Sequence, residues 1–290
     1  MCDEWTSAGE EAALAGAGLS RRAFAASAAA AVATASAASQ AAAAEAGLIE
    51  TPVLIPTGDG KADGFFIRPA HGTHPAILMW PDIAGLREAY KVMARRLALA
   101  GYAVLVVNHY YRTARAPLLA SMAEWMTPAG QARLKPAIAA ITPARTLADA
   151  RAFIGFLDAQ PGVARGRGIG TCGYCMGGPY AVRTAAAVPA RVAAVATLHG
   201  AGLVTDAPDS PHRLLGETKA AFLFAIARND DARAPADKDA LKAAAAAAHR
   251  PAEVEVYAAD HGWCTIDAPS YNKAEAERAW GRMLSLFSRL

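Results

Sequence analysis

The sequence predicts an α/β fold, with a mostly parallel central sheet and helices on both of its faces. Short apolar runs, typical of strands buried on both faces, alternate along the chain with amphipathic helical segments. The 290 residues are 54% hydrophobic, which is enough for one large core. The polar residues suited to catalysis come directly after predicted strands, where ligand sites of such sheets form.

Residues 1–44 are predicted to be a Tat-type export signal and linker that precede the fold. Arg21-Arg22 is followed by an alanine-rich apolar run over 23–38 and by Ala-x-Ala cleavage sites before residue 46. The run is too short and too rich in alanine to predict a membrane span after processing. The export machinery and a signal peptidase would then be partners, and the mature protein would be periplasmic or secreted. The alternative is an alanine-rich disordered tail or a weak helix.

Residues 45–290 are predicted to form a single domain that opens with a hairpin. Two short strands, 53–55 and 64–67, flank the turn Thr57-Gly58-Asp59-Gly60. A buried strand over 76–80 ends at Pro81, and a helix over 86–100 has its apolar residues on one face. Gly101 ends that helix, and the uninterrupted apolar run 102–107 forms the next strand.

The second half of the domain repeats this alternation after a long connection. Residues 108–143 are predicted to be irregular, to include at least one short helix and to border the active site. The remaining predicted strands are 169–172, 192–198, 221–226 and 254–257. The remaining predicted helices are 146–160, 179–188, 234–248 and 271–290.

The strongest motif is Gly173-Tyr174-Cys175-Met176-Gly177-Gly178, at a strand-to-helix junction. A residue between glycines at such a junction lies on a tight turn, as in the nucleophile elbow, here with cysteine in the place of serine. The N-terminus of the following helix favours both a thiolate and an oxyanion. The structural alternative is a glycine-rich turn around a buried cysteine.

A nucleophile of this kind needs a base and a group that orients the base. Asp230 and Asp231 follow the strand 221–226, and His261 follows the last strand, so the chain order is nucleophile, acid, histidine. Either acid could instead cap a helix near residue 234, and His261 could be a surface-loop histidine.

The other cysteines allow competing interpretations. Cys172-x-x-Cys175 matches a redox motif superficially, although Gly173 and the strand context favour the elbow. A disulfide between Cys172 and Cys264 is conceivable after export. No second cysteine pair accompanies the motif, so zinc is not expected. The net charge of +3 is spread along the chain, which argues against nucleic-acid binding.

At these residues the chain resembles the dienelactone hydrolase family, over about residues 48–290. The elbow is close to that family's, and His261-Gly262-Trp263 is similar to its histidine, small residue and aromatic. Asp231, followed four residues later by Pro235, resembles the family's acid. The resemblance therefore implies an α/β-hydrolase fold and a triad of Cys175, His261 and Asp231.

The resemblance implies further site residues. Asp82 matches an acid that helps generate the thiolate, although the family usually has glutamate there; its alternative role is a helix cap. Backbone N–H groups of Ile83 and Met176 are expected to form the oxyanion hole. Tyr110, Arg112 and Trp263 are expected substrate-binding residues, with Arg112 as a carboxylate clamp or, alternatively, a solvated loop charge. His199, which stands where the family tends to have an aromatic residue, is a further expected substrate-binding residue or, alternatively, a strand-end histidine.

One departure concerns the substrate. Thr265 stands where family members that cleave dienelactone have a second arginine, four residues after the histidine. The expected activity is hydrolysis of a small carboxylic ester or lactone, without a metal or organic cofactor. The alternatives are a thioesterase or acyltransferase on the same triad, a non-catalytic periplasmic binding protein, and a thiol redox protein.

Overall fold

The computed structural model describes residues 47–290. The predicted export signal lies outside the described residues, so it stays a prediction, as does the boundary of the domain at residue 45.

The described residues form one eight-stranded sheet. Its strands are β1 (Leu48–Thr57), β2 (Gly60–Pro69), β3 (Ala76–Trp80), β4 (Ala103–Val107), β5 (Ile169–Tyr174), β6 (Val192–Leu198), β7 (Ala221–Ala227) and β8 (Ala252–Tyr257). The spatial order is β1-β2-β4-β3-β5-β6-β7-β8. Strand β2 pairs antiparallel with β1 and β4, and all other pairs are parallel. The prediction of a mostly parallel sheet is therefore confirmed.

Eight α-helices connect these strands in the described part of the chain. They are α1 (Glu88–Leu99), α2 (Met122–Trp125), α3 (Pro128–Ala139), α4 (Pro143–Ala159), α5 (Gly177–Ala187), α6 (Arg228–Arg233), α7 (Asp237–Ala247) and α8 (Lys273–Phe287). A 3₁₀ segment, Pro211–Glu217, precedes β7. No helix within residues 47–290 is both long and apolar enough to cross a membrane.

Two hydrophobic layers cover the two faces of the sheet. On one face Trp80 packs against Phe153 of α4 and Tyr180 of α5. On the other face Tyr102 packs against Phe287 of α8, and α1 lies in the same layer. Such a sheet buries its central strands on both sides, which explains why β3, β4 and β5 are buried along their whole length.

The sequence located each strand and the long helices, with errors mainly at their ends. The hairpin is longer than predicted, since β1 and β2 pair over ten positions each. The segment 108–143 contains two helices, α2 and α3, where the sequence predicted at least one. The predicted helix 234–248 corresponds to α7, and it is preceded by the short helix α6, which was not predicted and which carries both Asp230 and Asp231.

Candidate active site

Cys175 lies at the junction of β5 and α5, in a strained backbone conformation. Its φ is 53°, in the left-handed region that non-glycine residues rarely adopt. A Cβ on Gly177 would lie 2.4 Å from the Trp80 carbonyl oxygen, and a Cβ on Gly178 would lie 2.7 Å from the Cα of Gly200. The elbow can therefore close against β3 and the loop after β6 only with glycine at both positions.

His261 faces Cys175 from the loop after β8, and its partner is Asp230. The Nδ1 atom of His261 lies 2.7 Å from Oδ2 of Asp230. Asp231 instead accepts hydrogen bonds of 2.7 and 2.9 Å from the Lys238 ammonium group. The sequence prediction of Asp231 as the triad acid is therefore wrong, because the two carboxylates project in different directions from the short helix α6.

The charge on His261 is stabilised within the site. Burial lowers the pKa of His261, but the Cys175 and Asp230 side chains oppose this effect by charge and hydrogen bonding. The net result is a pKa well above its usual value. The arrangement therefore favours the charged imidazolium form of His261.

Ile83 and Met176, the two expected oxyanion-hole residues, are joined by Tyr110. The Tyr110 hydroxyl donates to the Ile83 carbonyl oxygen at 2.8 Å and lies 3.2 Å from the Met176 sulfur. Gly85, with φ of 79°, leaves room for the Tyr110 ring: a Cβ there would lie 3.1 Å from it. Tyr110 thus fixes the loop after β3 against the elbow, and it is buried, at 1% exposed.

Asp82 is part of a buried ion-pair network. Arg87 donates to both of its carboxylate oxygens, at 2.6 and 3.0 Å, and to both oxygens of Asp267, at 2.7 and 2.8 Å. Asp267 also accepts the main-chain N–H of Met122, at 3.0 Å. Asp82 does not cap α1, whose N-cap is Arg87. Arg87 therefore already binds the Asp82 carboxylate. The expected role of Asp82 in thiolate formation stays a prediction.

The Asp82 carboxylate also shapes its own loop. It accepts the N–H of Ala84 at 3.0 Å, and the Asp82 N–H donates to the Tyr90 hydroxyl at 3.0 Å. These bonds enclose Ile83 on both sides. The loop is therefore fixed before a substrate arrives, as an oxyanion hole requires.

His199 and Trp263 form an aromatic layer behind Cys175 and His261. The N–H of Cys175 donates to Nδ1 of His199 at 3.1 Å. The His199 ring lies 4.8 Å from the His261 ring and 5.2 Å from that of Trp263. Burial and the charge on His261 lower the pKa of His199 well below its usual value, so it stays neutral. Trp263 is fully buried, and we assign it to support His199.

Arg112 does not lie free for a substrate. It donates to both oxygens of Asp149, at 2.7 and 2.8 Å, and to Asp59 at 2.7 Å, while it stacks on the Tyr111 ring. All three of its nitrogen atoms are engaged, and its side chain is 10% exposed. The expected carboxylate clamp is therefore corrected to an internal ion pair. Thr265 is fully buried, with its hydroxyl 3.5 Å from that of Tyr90.

His109, Arg87 and Asp267 were not identified from the sequence. His109 follows β4 at the same edge of the sheet as Cys175 and His261, and this position was the one available signal. Its ring packs 4.1 Å from that of Tyr110 and 5.9 Å from that of Tyr180. No pattern in the sequence indicates that Arg87 and Asp267, 180 residues apart, would meet.

The remaining cysteines are buried thiols. Cys172 and Cys264 form no disulfide, with each other or with Cys175, among the described residues. Burial raises the pKa of the Cys172 thiol strongly, which leaves it unreactive. Residues 47–290 contain no cluster of three or more histidine, cysteine or acidic side chains placed to hold a metal ion.

Comparison with known proteins gives consistent matches. The sequence pattern of the dienelactone hydrolase family matches residues 62–290. A candidate carboxymethylenebutenolidase of Methylorubrum extorquens is 30% identical over 253 residues, 83% of this chain and 81% of that protein.

Solved structures share the architecture. A candidate dienelactone hydrolase of Klebsiella pneumoniae superposes with a TM-score of 0.72 at 24% identity, covering 84% of this chain and 99% of that one. A dienelactone hydrolase-like promiscuous phosphotriesterase from metagenomic libraries gives 0.68 at 22%, with the same coverage. At these identities the likeness concerns the fold, which is the predicted α/β-hydrolase fold.

Proposed function

The chain belongs to the dienelactone hydrolase family, and from that premise we propose that it hydrolyses carboxylic esters or lactones through Cys175, His261 and Asp230. One observation carries the assignment of residues: His261 interacts with both the Cys175 thiol and the Asp230 carboxylate at the carboxyl edge of the sheet. A nucleophile, a base and a group that orients the base are the minimum for acyl transfer by covalent catalysis.

The proposed reaction has two halves. The Cys175 sulfur attacks the carbonyl carbon, and the tetrahedral oxyanion accepts hydrogen bonds from the N–H groups of Ile83 and Met176. Loss of one such donor typically costs about 3 kcal/mol of barrier. The oxyanion collapses to a thioester, and His261 gives its proton to the leaving oxygen. His261 then takes a proton from water, which attacks the thioester and releases the acid and the thiolate.

Asp230 keeps His261 in the orientation that this cycle needs. Its bond to Nδ1 leaves Nε2 for the thiol, the leaving group and the water. His199 accepts the Cys175 N–H, and this contact supports the strained elbow from behind. The reaction needs no cofactor. From residues 1–44 alone we further propose that the enzyme is exported by a Tat-type signal before it acts.

Replacement of Cys175 tests the proposal, and Cys172 supplies a matched control three residues away. We expect Cys175→Ala to abolish turnover of p-nitrophenyl butyrate, and Cys172→Ala to retain at least half of the wild-type kcat. A pre-steady-state burst of p-nitrophenol, together with a mass increase of one butyryl group on wild type alone, would identify the thioester.

Other outcomes favour the alternatives. Equal loss of turnover in the two variants would support a redox pair. Turnover that survives Cys175→Ala would exclude this cysteine as the nucleophile. The absence of turnover with any activated ester would support a binding protein that kept the fold.

A further inference from the structure

Two arginines that follow strands at the carboxyl edge of the sheet, Arg112 and Arg87, are already neutralised, and Arg233 lies 3.3 Å from the Asp230 carboxylate. Arg112 is held by Asp149 and Asp59, and Arg87 is held by Asp82 and Asp267, in each case through hydrogen bonds of 3.0 Å or less. Arg87 is fully buried as well. A carboxylate on a substrate would therefore have to break an existing ion pair before either arginine could bind it.

The connection over residues 108–143 contributes apolar side chains to the core layer that contains Cys175. Four of its side chains belong to the same buried cluster as Cys175 and Met176: Leu118, Leu119, Met122 and Trp125. An isolated carboxylate is very costly to bury among such groups, whereas an uncharged ester is not.

His109 is a buried polar residue of this connection. It is 3% exposed, and neither ring nitrogen has a hydrogen-bond partner within residues 47–290. Its ring lies against Tyr110, the residue that holds Ile83 and Met176 together. Buried polar groups in native proteins are nearly always satisfied, so a buried imidazole with two unpartnered nitrogens beside Tyr110 is a candidate hydrogen-bonding group for a substrate.

We propose that this site takes uncharged esters or lactones, and that the His109 imidazole hydrogen-bonds a polar oxygen of the bound substrate. The inference rests on the proposed function and names its substrate class. Burial, with a smaller effect from Arg87, lowers the pKa of His109 to about 3. The ring is then neutral at physiological pH and supplies one donor and one acceptor without a charge.

A pair of substrates that differ only in charge tests the substrate class. 4-Acetoxybenzamide and 4-acetoxybenzoate have the same acetyl group and nearly the same shape, and each enzymatic rate is divided by the rate with hydroxide. We expect the amide to have a kcat/KM at least 50-fold higher at pH 7, with most of the difference in KM. Equal values, or preference for the carboxylate, would overturn the inference and leave the ester hydrolase proposal intact. If neither is cleaved above the Cys175→Ala background, both proposals fail.

Replacement of His109 by phenylalanine tests the contact itself. We expect His109→Phe to lower kcat/KM for 4-acetoxybenzamide at least tenfold without lowering Tm, because the ring shape is kept and no internal hydrogen bond is lost. His109→Gln, which restores a donor, should recover part of the activity. His71→Phe, an exposed histidine on the loop after β2, should change nothing. Wild-type kcat/KM in His109→Phe would overturn the contact, as would a loss that tracks a fall in Tm.

Discussion

His109→Phe should also make the protein less sensitive to acid. The pKa of His109 is about 3 in the folded protein, whereas histidine in an unfolded chain titrates near 6.5. A base whose folded pKa is lowered adds stability that is fully present above the unfolded pKa and is lost as the pH falls toward the folded pKa. At pH 5 the unfolded state gains a proton that the native ring does not accept.

The magnitude follows from the two pKa values. Between pH 7 and pH 5, protonation of this one histidine in the unfolded state lowers the free energy of unfolding by about 2 kcal/mol. Phenylalanine does not titrate, so His109→Phe lacks this loss of unfolding free energy. His199, whose pKa is also lowered, contributes with the same sign in both proteins, so it cancels in the comparison.

Urea unfolding at pH 7 and pH 5, at fixed ionic strength, measures the effect. We expect the wild type to lose about 2 kcal/mol more than His109→Phe between the two pH values. His74→Phe is the control for the loss of a histidine that makes hydrogen bonds. Both ring nitrogens of His74 lie within 3.0 Å of main-chain oxygens, so its replacement should destabilise the protein. An equal loss in wild type and His109→Phe would show that His109 is not held neutral by burial.

Two further predictions concern the triad and the oxyanion hole. Because the pKa of His261 is raised, its bound proton adds stability below pH 6.5, and this stability disappears as the pH rises through the folded pKa. Asp230→Asn should therefore lower Tm more at pH 6 than at pH 9. The effect of Asp231→Asn, whose carboxylate pairs with Lys238, should not follow this trend. Tyr110→Phe should lower kcat about tenfold with little change in KM, because the hydrogen bond from the Tyr110 hydroxyl to the Ile83 carbonyl orients the loop of the proposed oxyanion hole. Tyr111→Phe, the control, should leave kcat within twofold. Unchanged kcat in Tyr110→Phe would refute the role of that bond.

The sheet and the elbow could be predicted from sequence because their causes are local. Apolar runs indicated β3, β4 and β6, and the glycines around Cys175 indicated a turn that a Cβ would obstruct. The same locality placed His261 after the last strand. Each of these features depends on a few neighbouring residues.

The choice between Asp230 and Asp231 shows where local reasoning fails. The sequence predicted a helix only from residue 234, but both acids lie in the short helix α6. Consecutive residues of a helix point about 100° apart, so one acid faces His261 and the other faces Lys238. The residue at which that helix starts decides which acid faces His261, and helix ends are the feature that a sequence predicts least reliably.

Long-range ion pairs explain why Arg112 was misassigned. Its partners Asp59 and Asp149 lie 53 and 37 residues away, and no spacing rule predicts that they converge. Without these partners an arginine on a loop after a strand has the chemistry of a carboxylate clamp. Its function therefore depends on whether another part of the chain has already neutralised it.

The buried Arg87 network extends this argument to the whole site. Arg87 joins the oxyanion-hole loop, through Asp82, to the histidine loop, through Asp267, and Asp267 holds the start of α2 through the N–H of Met122. Burial lowers the pKa of Arg87, but the two carboxylates raise it well above its usual value, so the network stays charged. Because removal of one partner from a buried pair leaves an uncompensated charge, the three segments are expected to move together or not at all. The same arginine that fixes these loops is thereby withheld from the substrate, which links the rigidity of the site to the proposed preference for uncharged esters.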